Sequence, residues 1–96
     1  MNFDILLENK ENQAIHHYCL LSNHHRYDVT IVYTSQFFGK AMVTSLQSGR
    51  MILLCAEDIP SEQYWVRTLG IEQEDISESQ DFLKLVLQSP FNYEQY

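Results

Sequence analysis

The sequence predicts an α+β fold, a four-stranded antiparallel β-meander with two C-terminal helices packed on one face. Three observations lead to this prediction. Residues 27–34 alternate apolar and polar side chains with only Val32 as an exception, as half-buried antiparallel strands do. Neighbouring strand-like runs are separated by short turn-forming sequences. Helical patterns follow only after the last strand, and strands succeeded by helices are typical of α+β folds.

Four strands are predicted within residues 15–56. The first covers residues 15–21, and closing the loop at residues 22–26 sets Leu21 opposite Tyr27. Successive side chains along a strand point to opposite faces of the sheet. One face of this strand pair is therefore expected to hold Ile15, His17, Cys19, Leu21, Tyr27, Val29, Ile31 and Tyr33.

The other two strands follow a loop centred on residues 37–40. The third is predicted at residues 41–47, and Ser48 with Gly49 forms a tight turn into the fourth at residues 50–56. Because the fourth strand is apolar on both faces, it is predicted to lie in the sheet interior.

Residues 57–89 are predicted to form an acidic helical part. Asp58 or Ser61 can cap the first helix, and Gly70 can end it. The second helix begins either at Ser77, where a capping-box pattern occurs, or as early as Glu72, and ends near residues 88–90. Residues 1–14 are an N-terminal segment and residues 90–96 an aromatic tail, and together the 96 residues are expected to form a single domain.

The net charge of −7 is concentrated in residues 57–81, which hold eight acidic residues and only one basic residue, Arg67. This segment would repel a phosphate backbone, so no nucleic-acid partner is expected. A solvated helical surface is the favoured interpretation of its acids. No apolar run approaches the ~20 residues that a membrane span needs. The N-terminus carries Asp4 ahead of a very short apolar run, unlike a signal peptide. We therefore expect a cytoplasmic protein without a membrane partner.

The histidines and cysteines are candidates for a metal site or a catalytic pair. If residues 15–21 form a strand, His16 and His17 point to opposite faces and cannot bind one ion together. His17 and Cys19 share a face, and a turn histidine, His24 or His25, would have to bend back to join them. A small metal- or ligand-binding protein or enzyme that uses His17, Cys19 and a turn histidine is the alternative hypothesis.

The cysteines, the turn histidines and the acidic residues also have other interpretations. Cys19 and Cys55 are interpreted as small core side chains, with a disulfide between them as a second possibility. The pair His24 and His25 could instead sense pH. The acids Glu72, Glu74, Asp75, Glu78 and Asp81 resemble a metal or acid–base cluster, but a solvated face is favoured. No cofactor is expected.

Aromatic residues outside the strands are the candidate partner-binding residues. Phe37 and Phe38 lie in a predicted loop, where aromatic side chains either fold onto the core, which is the favoured interpretation, or contact a partner. Tyr64 and Trp65 are adjacent in a helix, so they cannot both face inward. Motifs of nucleotide binding, serine hydrolysis and zinc proteolysis are absent from the sequence. These observations favour a non-enzymatic protein–protein interaction module, as a monomer or as a weak homodimer that pairs through a sheet edge.

The sequence also resembles a known family. The segments RYDVTIVYT, FFGK and SLQSGR, followed by the acidic helical end, resemble a small family of uncharacterised cytosolic proteins of Firmicutes bacteria. The resemblance covers about residues 26–87. It implies a compact α+β domain in the bacterial cytoplasm, and it implies no activity, cofactor or site.

Overall fold

The computed structural model describes residues 2–88. Its strands are β1 (Ala14–Leu21), β2 (Arg26–Tyr33), β3 (Ala41–Ser45) and β4 (Met51–Leu54), and its helices are α1 (Glu62–Leu69) and α2 (Ile76–Leu87). The four strands form one antiparallel sheet in the order β1-β2-β3-β4, which confirms the predicted α+β meander with two C-terminal helices. The predicted aromatic tail, residues 90–96, lies outside the described residues.

The hydrophobic core lies between one face of the sheet and the two helices. Trp65, Ile31, Leu54 and Val43 are completely buried there, and further core side chains come from both helices, including Leu69, Leu83 and Leu87. Each large apolar side chain buried in this way contributes roughly 1.5–3 kcal/mol relative to an exposed one. Within residues 2–88, no helix is both long enough and apolar enough to cross a bilayer.

The register of β1 differs from the predicted register by one residue. Leu20, and not Leu21, lies opposite Tyr27, while Leu21 pairs with Arg26. The turn closes over four residues, with Ser22 N donating to His25 O at 2.8 Å, so that Arg26 already belongs to β2. Because a slip of one residue turns every side chain to the other face, the predicted facing of β1 is wrong.

Because of this one-residue shift, a different set of β1 side chains faces the helices. Ala14, His16, Tyr18 and Leu20 share the core face with Tyr27, and they are half-buried. The predicted core-facing residues Ile15, His17, Cys19 and Leu21 are instead exposed on the outer face.

β4 is an edge strand, so the prediction that it lies in the sheet interior is wrong. Among residues 2–88 its only strand partner is β3, and Met51 is 51% exposed. The connection from β3 is longer than predicted, because Gly49 N donates to Ser45 O and Ser45 N to Arg50 O, each at 2.9 Å. β3 and β4 are therefore shorter than the predicted 41–47 and 50–56.

The ends of the helices follow from local capping. Gly70 adopts φ 71°, and Gly70 N and Ile71 N donate to Arg67 O and Val66 O, the Schellman arrangement that ends a helix. α2 begins at Ile76, between the two predicted starts, after a 3-10 turn at Gln73–Asp75. Asp58 caps a separate 3-10 turn, Ala56–Asp58, where its carboxylate accepts from Cys55 N at 3.0 Å.

Candidate functional site

A tight turn between β2 and β3 carries a conformationally unusual aromatic residue. Phe38 has φ 54° and ψ 47°, the left-handed region, and Gly39 has φ 85°. Lys40 N donates to Phe37 O at 3.1 Å, which closes residues 37–40, hereafter the Phe38 turn. Positive φ at both central positions defines a type I′ turn, which strongly favours Asn or Gly at the first of them. A phenylalanine at position 38 is therefore conformationally unfavourable.

The side chain of Phe38 is 99% exposed, so it contributes nothing to the core. The backbone on both sides of it is nevertheless well held. The Thr34 side chain accepts a hydrogen bond from Gln36 N at 3.1 Å, and the Lys40 ammonium lies 2.9 Å from Asp58 Oδ2. The turn thus presents a large aromatic ring to solvent on an ordered backbone.

Tyr64 lies at the same end of the sheet as the Phe38 turn. β3 starts and β4 ends there, with Ala41 paired to Leu54, and the Lys40 ammonium is 5.8 Å from the centre of the Tyr64 ring. Burial alone would raise the pKa of Asp58, but hydrogen bonds from Lys40 and from Cys55 outweigh burial and lower the pKa. The ion pair therefore ties the loop that holds Phe38 to the segment that precedes α1.

The four candidate aromatic residues have different environments. Phe38 is fully exposed, Tyr64 is 45% exposed, and Phe37 is half-buried. Trp65 is completely buried and donates from Nε1 to Ile59 O at 2.9 Å. Trp65 was predicted to bind a partner, but in the folded protein its side chain has no exposed surface that a partner could contact.

A second polar site connects the β1–β2 turn to the start of α2. The carboxylate oxygen Oδ2 of Asp75 accepts hydrogen bonds from Tyr27 Oη at 2.5 Å and from Ser22 Oγ at 3.1 Å, and it lies 3.1 Å from His25 Nδ1. His25 Nδ1 also lies 3.3 Å from Glu74 Oε1. These five residues are hereafter the His25 cluster.

Electrostatics in the His25 cluster favour an ionised Asp75 beside a neutral Tyr27. The hydrogen bond from Tyr27, followed by those from Ser22 and His25, lowers the pKa of Asp75 against an opposing effect of burial. Burial and then the hydrogen bond to Asp75 raise the pKa of Tyr27 to about 12. Tyr27 Oη in turn accepts from Glu72 N at 3.2 Å, so the hydroxyl is held on both sides.

The His25 cluster offers the atoms that a metal ion could bind. One nitrogen of His25 and one oxygen each of Glu74 and Asp75 lie within 4.8 Å of one another. Ser22, Tyr27 and Asp75 also line a cavity of about 280 Å³ whose apolar wall includes Leu20 and Phe82. The cluster therefore borders an open cleft between β1 and α2.

The predicted set of His17, Cys19 and a turn histidine is not brought together. His17 and Cys19 share a face, as predicted, but it is the outer face of the sheet, where His17 Nδ1 lies 3.0 Å from Thr30 Oγ1. His25 is directed toward Asp75 on the helix side of the sheet. Both cysteines are free, and Cys19 is exposed while Cys55 is half-buried, so neither is the core residue that was predicted.

Asp75 is a candidate functional residue, and the environment predicted for it from the sequence is wrong. Glu72, Glu74, Glu78 and Asp81 are exposed as predicted, but Asp75 is buried. A signal for this was present in the sequence. The buried residues Leu83 and Leu87 extend by steps of four to Ser79 and Asp75, and both of these are buried too.

Comparison with known proteins identifies a family to which the chain is similar. The family model for SAV0927-like proteins matches residues 6–85 of this chain. The match includes β1 and part of the segment before it, which the resemblance over residues 26–87 does not reach. No curated protein matches the chain.

Proposed function

The chain belongs to the SAV0927-like family, and we propose that it is a non-enzymatic protein–protein interaction module that binds its partner through Phe38. The observation that carries this proposal is the complete exposure of Phe38 in a left-handed conformation. Neither burial nor turn propensity accounts for a phenylalanine there, since the left-handed region disfavours side chains with a Cβ. Strained residues held in place by their surroundings cluster at functional sites.

The proposed partner has an apolar pocket that accepts the Phe38 ring. Aromatic side chains dominate the binding energy of many interfaces, and a ring on a preordered turn loses little conformational freedom on binding. Tyr64, which is 45% exposed at the same end, would extend the contact. The exposed acids Glu57 and Glu62 are close in sequence to Asp58 and Tyr64 and favour basic residues around the partner's pocket.

The test is capture of the partner from the native host at native expression level after mild crosslinking, followed by mass spectrometry. Wild type is compared with Phe38→Asn, which suits the turn and removes the ring. Leu85→Asn is the matched control, because Leu85 is also an exposed apolar residue, 66% exposed, but lies on α2.

We expect one protein at near one-to-one abundance with wild type and with Leu85→Asn, and its loss with Phe38→Asn. Equal recovery with Phe38→Asn would contradict the proposal, as would loss of the protein with Leu85→Asn alone. Added salt is expected to weaken binding, because the acidic surroundings of Tyr64 act through charge.

We also propose that the protein works in the bacterial cytosol, which is the setting that the sequence resemblance implies. Fractionation of the native host should recover it with soluble cytosolic markers. Recovery in the envelope fraction would contradict this part of the proposal.

A further inference from the structure

We propose that His25, Glu74 and Asp75 bind a divalent first-row transition-metal ion at the turn between β1 and β2. This site is separate from the Phe38 turn. The two lie at opposite ends of β2, whose eight residues span roughly 23 Å at a rise of about 3.3 Å per residue.

The spacing of the three ligand atoms is the first support for the site. His25 Nδ1 lies 3.1 Å from Asp75 Oδ2 and 3.3 Å from Glu74 Oε1. Nitrogen and oxygen ligands bind zinc at about 2.0–2.2 Å, so two ligands at tetrahedral or right angles are about 2.8–3.6 Å apart. Both distances fall in this range, and the ligand oxygens of Glu74 and Asp75 lie within 4.8 Å of each other.

The surroundings of Asp75 are the second support. Its carboxylate is buried and oriented by the hydroxyls of Tyr27 and Ser22, at 2.5 and 3.1 Å. Outer hydrogen bonds of this kind orient a ligating carboxylate and tune its affinity for the ion. The side chains of His25 and Glu74 are 34% and 59% exposed, so they have the freedom to close around an ion.

The chemistry of binding is the replacement of a proton by a cation. His25 Nδ1 is hydrogen-bonded to Asp75 Oδ2 at 3.1 Å and lies 3.3 Å from Glu74 Oε1, so the same ring nitrogen is next to both carboxylates. On binding, the imidazole would lose any proton on that nitrogen to solvent, and the metal ion would take its place between the nitrogen and the two oxygens. The two carboxylates would balance the 2+ charge of the ion, the neutral imidazole would be a third ligand, and further coordination positions would remain for water.

Charge and access also favour a cation here. Residues 57–81, which supply Glu74 and Asp75, carry eight acidic residues against Arg67 alone. The neighbouring cavity of about 280 Å³, lined by Ser22, Tyr27 and Asp75, provides a path from solvent. Imidazole with carboxylates suits zinc and manganese better than the soft ions that need thiolates.

The test is titration of tag-free protein with ZnCl₂ by isothermal calorimetry, with MnCl₂ as a second probe. Glu74→Gln and His25→Gln each remove one ligand from a partly exposed position, and Trp65 fluorescence checks that each variant is folded. The matched controls are His24→Gln, in the same turn, and His17→Gln, on the outer face. Asp75 is not substituted, because its carboxylate also holds the turn.

We expect one equivalent of Zn²⁺ to bind wild type and both controls, and affinity to fall at least tenfold in Glu74→Gln and His25→Gln. Amide NMR shifts on zinc addition should concentrate in residues 22–27 and 72–79. No binding to wild type at about 100 µM Zn²⁺ would overturn the proposal, as would an equal loss in His17→Gln or His24→Gln.

The outcome is independent of the proposed function. Phe38→Asn should bind zinc as wild type does, and Glu74→Gln should capture the partner as wild type does. If either zinc binding or partner capture fails, the other can therefore still be measured in the same set of proteins.

Discussion

Replacing Phe38 by Asn is expected to make the protein more stable while removing its proposed binding residue. Most substitutions destabilise a protein, so a gain in stability is a demanding prediction. It arises because Phe38 sits at φ 54° in the first central position of a type I′ turn, where asparagine is strongly favoured.

The expected gain is about 1 kcal/mol in the free energy of unfolding. A residue with a Cβ in the left-handed region costs roughly 1–2 kcal/mol, and asparagine relieves much of this because its short polar side chain bonds locally. No packing is lost in exchange, since Phe38 is 99% exposed. For a domain of this size, about 1 kcal/mol raises the melting temperature by about 4–8 °C.

Urea unfolding monitored by tryptophan fluorescence measures this gain directly. Trp65 is the single tryptophan and is completely buried, so its emission reports loss of the core. With a slope of about 1–3 kcal/mol per molar urea, the midpoint should rise by about 0.3–1 M. Phe38→Ala is the control, because alanine keeps the Cβ and should leave the free energy of unfolding within about 0.5 kcal/mol of wild type.

An unchanged or lower midpoint in Phe38→Asn would refute the reasoning. It would mean that the ring has a contact that stabilises the native state, or that the turn does not hold Phe38 in the left-handed region. The interaction proposal would then lose its main support, because ordinary packing would account for the residue.

Three further predictions concern the turn, the cluster and the register of β1. Gly39→Ala should lower stability by about 1 kcal/mol in urea unfolding, because φ 85° disfavours a Cβ although no atom lies within 4 Å of one. Tyr27→Phe should lower stability at pH 7 by about 1–2 kcal/mol, since it removes a buried hydroxyl that bonds Asp75. The folded pKa of Asp75 is below its ordinary 3.8, so its stabilisation is present above pH 3.8 and lost as pH falls through the folded value. Because Tyr27 is the largest cause of that lowering, the midpoint of Tyr27→Phe should fall less steeply than that of wild type below about pH 4, and equal slopes would contradict this. Ellman's reagent should label Cys19 rapidly in the native protein, since it is exposed, and half-buried Cys55 more slowly. If Cys19→Ser kept the fast phase, the outer placement of Cys19 would be wrong.

The strand and helix assignments were largely predictable because they rest on local patterns. The alternation in residues 27–34 and Gly70 as a helix stop needed only neighbouring residues, and both are present in the structure. The register of β1 was not predictable in this way. Assigning Arg26 to the turn or to β2 shifts the pairing by one residue, and this shift decides which face Cys19 occupies.

For the candidate sites too, local sequence predicted some features, and contacts between distant residues decided the others. The sequence placed Phe38 in a loop and favoured its packing on the core, which is wrong, because its exposure depends on how the turn closes. Asp75 contacts Ser22, His25 and Tyr27 across 48–53 positions of sequence. No local pattern pairs residues at that separation, so the acid was predicted to face solvent with its neighbours.

The sequence by itself therefore determined the class of fold, the order of its elements and the concentration of charge in residues 57–81, because periodicity, capping and composition are properties of nearby residues. Only the tertiary structure decided that Trp65 is in the core, that Cys19 is outside it and that His25 meets Asp75. These facts follow from how the sheet pairs and how α2 docks on it. Both are set by contacts between distant residues, where a one-residue difference in pairing changes which side chains can meet.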